Sequence, residues 1–170
     1  RRSRFPLVLS SVFVLAAGPH GLLGSVEPAD EKLAAALSGA KVTLEQGLAA
    51  AAKVGDPISG KFEMEKENLQ LSVYTSKGGA FSEVIVDHVT GKVLKSEAIT
   101  EGDDYKNAMA QADALRAAKA SLHDVVNRAV KGNVVFRAVS VEAKAKDGKA
   151  TAEIVLQRGR ERRVVIEPLR

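Results

Sequence analysis

Cysteine and tryptophan are both absent from this sequence of 170 residues, and aromatic residues make up only 4% of it. The absence of cysteine excludes disulfide bonds and thiol chemistry. The scarcity of aromatic side chains removes the platforms on which nucleic-acid-binding proteins stack bases, so we do not expect binding to nucleic acid. An apolar content of 45% and a charged content of 27% are ordinary for a globular protein and argue against disorder.

Recognisable catalytic motifs are also missing. The three histidines, His20, His88 and His123, do not have the spacing of a metal site, and no glycine-rich phosphate loop occurs. No serine lies in the sequence context of a hydrolase nucleophile. The sequence therefore predicts a protein that is not an enzyme.

The N-terminal segment has the pattern of an export signal. Three arginines within the first four residues precede an apolar run from Pro6 to about Gly18. The uncharged stretch through Val26 approaches the roughly 20 residues that span a bilayer, so an uncleaved anchor is the alternative. Residues 1–26 are therefore predicted to be a signal peptide or an N-terminal anchor. The protein is expected to be periplasmic or secreted, with membrane contact only through this segment if it stays uncleaved.

The charge is unevenly distributed along the chain. Residues 27–104 carry 8 basic and 14 acidic residues, a net charge of −6, whereas residues 105–170 carry 14 and 7, a net charge of +7. Regions of opposite charge can attract each other or present different surfaces to partners.

The basic segment RGRERR near the C-terminus is the densest cluster of charge. It is predicted to surround a turn in the last hairpin and to guard an exposed edge against aggregation. Contact with an acidic partner or with anionic lipid, and attraction to the acidic first half of the chain, are the alternatives. The candidate partner-binding residues of this segment are Arg158, Arg160, Arg162 and Arg163.

An internal repeat organises the chain. Residues 43–55 and 121–132 both open with a hydroxyl residue suited to cap a helix, and both stop at a glycine. A further helix is predicted before each of them, and strands joined by Gly-Gly or Asp-Gly turns are predicted after each.

The predicted fold class is α+β, with two repeats that each pack helices on one face of a three- or four-stranded antiparallel sheet. Residues 27–102 form the first repeat and residues 103–170 form the second. Turn positions predict that Phe62 lies opposite Val73, Val73 opposite Val84, and Val164 opposite Ile154.

The face of each predicted sheet that its helices leave open is not uniformly polar. It carries Tyr74, Phe81 and Ile85 in the first repeat, and Val155 and Val165 in the second. Apolar residues on an uncovered face indicate burial against something else. Packing of the two repeats, or of two chains in a homodimer through these faces, would explain the pattern. The alternative is that Tyr74, Phe81 and Ile85 bind a protein partner.

The sequence KFEMEKENLQLSVYTSKG, which continues into FSEVIVDHVTGKVLKSEAIT, resembles the PepSY domain. That family shows a helix, antiparallel strands and a final strand that runs into V-D-x-x-T-G-K-V. The match covers residues 43–99, and its most specific part is Val86-Asp87 followed by T-G-K-V. Residues 103–170 resemble a degenerate copy, in which Glu167 stands in the place of Asp87.

The resemblance to PepSY domains implies an exported, non-catalytic module that binds or regulates a protein of the cell envelope, regulation of a peptidase included. Because some periplasmic PepSY proteins bind metal ions, a calcium- or lanthanide-binding protein is the first alternative. A structural subunit of an envelope complex is the second.

Two sets of carboxylates are candidate metal ligands. Glu63, Glu65 and Glu67 alternate along a predicted strand, so they share a face and could offer oxygen atoms to calcium or a lanthanide. Lysines flank them, and a solvated strand face is the alternative. Asp87 is expected to hold its turn by accepting hydrogen bonds from backbone amides, with a ligand or partner role as the alternative. No other cofactor is predicted.

Overall fold

The structure is a computed structural model, and it describes residues 28–116, 118 and 120–170. The predicted signal or anchor at residues 1–26 lies outside these residues. In the described part of the chain, two helices and four strands are followed by two helices and three strands. In chain order they are α1 (Pro28–Leu37), α2 (Leu44–Ala51), β1 (Asp56–Glu65), β2 (Asn68–Lys77), β3 (Ala80–Val86), β4 (Val93–Ile99), α3 (Gly102–Arg116), α4 (Leu122–Lys131), β5 (Arg137–Lys146), β6 (Lys149–Arg158) and β7 (Glu161–Pro168).

All seven strands belong to one antiparallel sheet with the order β4-β3-β2-β1-β5-β6-β7. The prediction of two repeats, each with its own three- or four-stranded sheet, is therefore wrong, although the α+β class is correct. Separate sheets would leave the inner edges of β1 and β5 with unpaired backbone groups, and pairing these strands satisfies both edges. The junction consists of the pairs Ser59–Glu142, Gly60–Val141 and Lys61–Ser140.

Helices α2 and α4 begin at the predicted caps. The Thr43 hydroxyl accepts a hydrogen bond from the Gln46 N–H at 3.2 Å, and the Gln46 side chain accepts one from the Thr43 N–H at 2.9 Å. The Ser121 hydroxyl accepts from the Asp124 N–H at 3.1 Å. Both caps satisfy backbone donors that the first turn of a helix leaves free, and both predictions are confirmed.

The main core lies under one face of the sheet, which we call the first face. Helices α1, α2 and α4 cover this face, and α2 packs directly against α4. Because both halves of the chain contribute to it, the core is continuous across the junction of β1 and β5. Its fully buried side chains include Leu44, Leu48, Leu71, Val73, Val84, Val126, Ile154 and Leu156.

Helix α3 packs on the opposite side of the sheet, which we call the second face. It lies against β1, β2, β3, β5 and β6. Its residues Tyr105 and Ala108 form a buried cluster with Tyr74 and Phe81. The rings of Phe81 and Tyr105 meet edge to face, with centroids 5.4 Å apart. The face expected to be open is therefore partly covered by the chain itself.

Two of the predicted strand registers are shifted in the structure. Phe62 lies opposite Leu71 rather than Val73, because β1 and β2 turn at residues 66–67, one residue earlier than expected. Each residue of β1 thus has a partner two positions earlier in β2 than expected. A shift by an even number leaves the same residues on the first face. The predicted pairing of Val73 with Val84 is confirmed.

The register of the last hairpin differs by one residue. A tight turn at Gly159, which has a φ of 55°, sets Val165 opposite Ile154 and Val164 opposite Val155. A slip of one residue exchanges the faces of a strand. Val165 therefore lies on the first face, and Val164 lies on the second face, contrary to the prediction.

Candidate functional site

The predicted partner surface on the second face is only partly accessible. Tyr74 is 7% exposed and Phe81 is 5% exposed, because α3 lies over both. Ile85 is half-buried and lines a recess at the far end of the sheet together with Leu94. The role of these residues in partner binding stays a prediction, and a partner could reach Ile85 without moving α3.

A polar network lies on the second face beside these aromatic side chains. The Tyr74 hydroxyl donates to Glu83 at 3.4 Å, and the Ser72 hydroxyl donates to Glu63 at 3.0 Å. Lys61 forms an ion pair with Glu63 at 2.6 Å. Burial raises the pKa of Glu83. Burial and the neighbouring Glu83 carboxylate also raise the pKa of Tyr74.

The candidate metal ligands are not brought together. Glu63 is held by Lys61 and Ser72, Glu65 is exposed at the end of β1, and Glu67 lies in the following turn with Lys32 at 3.4 Å. Within residues 28–116, 118 and 120–170, no group of three or more histidine or acidic side chains is arranged to hold a metal ion.

Asp87 organises the turn that follows β3. Its carboxylate accepts hydrogen bonds from the N–H groups of Val89 at 2.8 Å and Thr90 at 3.0 Å, and these bonds lower its pKa. Its carbonyl accepts from the Gly91 N–H at 2.8 Å, and Gly91 has the positive φ of 75° that the turn requires. The geometry is that of the structural role expected from the sequence.

The same turn holds the connection between α1 and α2. The carbonyl of His88 accepts hydrogen bonds from the N–H groups of Lys41 at 2.9 Å and Val42 at 3.0 Å. The turn that Asp87 organises is thus hydrogen-bonded, through His88, to the segment that joins α1 and α2.

The four candidate arginines lie in and beside the turn between β6 and β7. Arg158 and Arg163 both reach Glu161, at 2.5 and 3.2 Å, and both guanidinium groups lie over the ring of the buried Phe136, at 5.2 and 4.2 Å. Hydrogen bonds from Arg158 lower the pKa of Glu161. The aromatic ring and the carboxylate therefore hold these two cations in place.

The other two arginines point elsewhere. Arg160 occupies the turn and forms an ion pair with Glu31 at the start of α1. Arg162 is exposed and lies opposite Gln157, which places it on the second face. The hairpin thus spreads its positive charge over both faces, as alternation along a strand predicts.

Two exposed valines flank this hairpin, and the sequence did not single them out. Val134 is 82% exposed and Val135 is 59% exposed, in the loop between α4 and β5. Asn133 holds the loop, because its side chain donates to the Ala129 carbonyl at 2.9 Å and accepts from Arg163 at 3.3 Å. We call residues 133–135 and 158–163 together the arginine end.

The loop of the arginine end is anchored as firmly on its other side. The Phe136 N–H donates to the Asn133 carbonyl at 2.8 Å, and the Phe136 side chain is buried between the arginines and the core. The pattern N-V-V-F could have indicated an exposed valine. Successive side chains of an extended segment point to opposite sides, so two valines and a phenylalanine in a row cannot all face the protein core.

A separate cleft of about 970 Å³ lies between α3, α2 and the ends of β1 and β2. Several of its polar side chains are paired locally, with Asp113 and Arg116 2.7 Å apart and the His123 ring 3.2 Å from the Asn127 amide. The cleft is therefore an apolar recess rather than a convergence of polar groups. Its apolar lining includes Leu48, Ile58, Phe81, Met109, Leu115 and Leu122.

None of the helices in the described part of the chain is long and apolar enough to cross a membrane. No family model matches the chain, and no curated protein sequence matches it. The resemblance to PepSY domains therefore stays a prediction. The chain is similar in structure to a predicted lipoprotein from Clostridium difficile 630, with 12% identity and a TM-score of 0.40, over 70% of this chain and 78% of that chain. A likeness at this level carries no argument about function.

Proposed function

We propose that this protein is an exported, non-catalytic module that binds an acidic protein partner of the cell envelope through its arginine end. The observation that carries the proposal is the exposure of Val134 and Val135 on an anchored loop beside a cluster of guanidinium groups. Adjacent exposed apolar residues that the fold does not use are typical of interaction surfaces.

The rigidity of the loop supports this role. Four hydrogen bonds of Asn133 and the buried ring of Phe136 hold the loop that carries the two valines in one arrangement. A partner that covers them does not have to order the loop first, so less of its binding free energy is lost as conformational entropy.

The charge of the hairpin indicates the chemistry of the partner. Residues 158–163 contain four arginines and one glutamate, a net charge of +3. Arg158 and Arg163 are 54% and 51% exposed even though they are paired with Glu161. Such a rim attracts an acidic surface and accelerates encounter more than it adds affinity. We therefore expect a partner with an apolar recess bordered by carboxylates.

The cellular setting of the proposal rests on the sequence. The predicted signal or anchor at residues 1–26 supports export, and the resemblance to PepSY domains implies the binding or regulation of an envelope protein such as a peptidase. A metal-binding function is not proposed, because the candidate carboxylates are separated and serve local hydrogen bonds and ion pairs.

Photocrosslinking in cells that make the protein tests the proposal. A photoreactive phenylalanine derivative placed at Val134 is expected to capture one discrete protein, and the capture is expected to fail when Arg160 and Arg162 are both changed to glutamate. The matched control carries the probe at Ala110, which is exposed on α3 and lies outside both the arginine end and the recess beside Ile85.

Capture of the same set of proteins from both probe positions would contradict the proposal. Capture at Val134 that survives both charge reversals would contradict the acidic nature of the partner. A purified candidate should then bind the wild-type chain and lose affinity for the Val134→Ser/Val135→Ser variant, by about tenfold or more.

A further inference from the structure

Strand β7 forms one outer edge of the sheet, and the three residues at its centre, Val164, Val165 and Ile166, are apolar. It pairs with β6 over eight consecutive residues without a bulge. The other outer strand, β4, has a register irregularity beside Val86 and carries the ion pair of Lys95 and Glu97 on the second face. Bulges and charged side chains discourage pairing at an edge. In β4 these features lie within the strand, whereas β7 has no bulge and carries its charged residues and Pro168 only on either side of its apolar centre.

At the centre of β7, two neighbouring side chains on the second face are apolar and exposed. Val164 and Ile166 are each 56% exposed. They alternate with Val165, which packs against the main core on the first face. An edge strand with free backbone groups and adjacent branched apolar side chains is a template for another strand.

The sequence of β7 is complementary to itself. In an antiparallel pair centred on Val165, Val164 of one copy lies opposite Ile166 of the other, twice, on the second face. On the first face, Arg163 of one copy lies opposite Glu167 of the other, again twice. Directly opposed apolar pairs and opposite charges both stabilise an antiparallel ladder.

Neighbouring registers are less favourable. A pair centred on Val164 sets Glu161 opposite Glu167, and a pair centred on Ile166 sets Arg162 opposite Arg170, so each brings like charges together. If the twofold axis passed between two residues, each residue would lie opposite one whose side chain points to the other face. The pleat of a continuous sheet does not allow such pairs.

We propose that the protein forms a homodimer in which β7 pairs antiparallel with β7 of a second copy, about a twofold axis at Val165. The two seven-stranded sheets then become one sheet of fourteen strands. Because the strands run antiparallel, the Gly159 turns of the two copies lie at opposite ends of the paired strands. Val134, Val135 and Arg160 of each arginine end therefore lie outside the strand pairing, whereas Arg163 takes part in it. The dimer therefore does not depend on the partner binding proposed above.

Charge reversal at the two complementary positions tests the register. Arg163→Glu sets like charges at both junctions of the dimer, and so does Glu167→Arg. We expect each variant to weaken self-association by about tenfold or more, as measured by sedimentation of the full chain over a range of concentrations. The double variant Arg163→Glu/Glu167→Arg is expected to recover association.

Mixing the two single variants is the sharper test. A heterodimer of the Arg163→Glu chain and the Glu167→Arg chain has opposite charges at both junctions, so the mixture should associate although neither variant does so alone. Within one chain, Arg163 contacts Glu161 and Phe136, and Glu167 contacts Arg128. Loss of those contacts can destabilise the fold of a variant chain, but mixing two variants does not restore contacts within either chain. Association on mixing would therefore report the contacts between chains.

Two further variants keep the test decisive if the charge reversals do not fold. Val164→Lys alters an exposed side chain of β7 and should prevent dimerisation. Lys95→Glu on β4 is the matched control and should not. A wild-type chain that stays monomeric at every soluble concentration would overturn the proposal. So would a dimer that withstands Val164→Lys or one that is lost with Lys95→Glu.

Discussion

Glu83 is a carboxyl group that the fold keeps away from water. It is 8% exposed and shares the second face with Lys61 and Glu63 of β1, Tyr74 of β2 and Glu97 of β4. Because its pKa is raised from 4.5, the folded state binds a proton more tightly than the unfolded state does. The resulting stabilisation is present at acidic pH and is lost as the pH rises through the raised pKa.

We therefore predict that the Glu83→Gln variant is less sensitive to pH than the wild type between about pH 5 and pH 7. The wild type should become more stable on acidification over this range, and the variant should gain less. Thermal unfolding at both pH values measures the difference. Asp104, whose pKa is also raised by burial, retains part of the effect in the variant.

Glu97→Gln is the matched control, because Glu97 lies directly opposite Glu83 but its side chain is 58% exposed. It should behave as the wild type does. Asp87, Asp124 and Glu161 have lowered pKa values, so their contributions are lost only at lower pH, outside this range. Equal pH sensitivity of the wild type and the Glu83→Gln variant would contradict the prediction.

Gly47 marks the closest approach of α2 to the sheet. A Cβ atom at this position would lie 2.6 Å from Cδ2 of Leu71, which is fully buried and has little room to move. We predict that Gly47→Ala destabilises the protein by about 1–2 kcal/mol in chemical denaturation, despite the better helix propensity of alanine.

Gly132→Ala is the control for this substitution. Gly132 ends α4 with a φ of −75° that any residue adopts, and its nearest neighbours are 3.7 Å away. Its replacement should leave stability unchanged or slightly raised. Equal effects of the two substitutions would mean that the contact with Leu71 yields without cost.

Helix α3 is the element that the sequence predicted least well. A helix was expected before residues 121–132, but the buried residues of α3 are Ala108, Gln111 and Ala114, which form no strong apolar stripe. A helix with such a face gives no sign of which surface it covers. Its position on the second face follows from tertiary contacts such as the hydrogen bond from Gln111 to Glu142 at 3.2 Å.

We predict that Ala108→Asp detaches α3 from the second face, because the new carboxylate would be buried against Tyr74 and Phe81. Hydrogen exchange should become at least about tenfold faster in Gly102–Arg116 while β1 and β2 stay protected. Ala110→Asp, on the exposed side of the same helix, should have no such effect. Loss of protection throughout the sheet would mean that α3 is required for the whole fold.

The two halves of the chain form one folding unit in this structure. Helices α2 and α4 pack together, and β1 pairs with β5. We predict that the full chain unfolds in a single cooperative transition, and that a fragment of residues 28–101 does not fold alone, since it would expose the core side of α2 and the inner edge of β1. Circular dichroism of both during heating measures this. A cooperative transition in the fragment would restore the idea of two independent repeats.

Local signals predicted much of the fold. The caps at Thr43 and Ser121 and the pairing of Val73 with Val84 follow from neighbouring residues, and all are present. The joining of β1 to β5 was missed because it links residues 79 to 83 positions apart, such as Lys61 and Ser140 or Ser59 and Glu142. At the candidate site, the basic charge was evident, whereas the pattern N-V-V-F was the one local signal for an exposed valine, and which valine is exposed depends on how Asn133 and Phe136 hold the loop.

The junction of β1 and β5 contains only three residue pairs, whereas the pairings of β1 with β2 and of β5 with β6 contain nine each. The first half of one molecule can therefore pair with the second half of another molecule through the same contacts. Residues 100–101, which join the two halves, would act as the hinge. Refolding from a concentrated solution would then trap intertwined, domain-swapped molecules, and refolding at high dilution would avoid them.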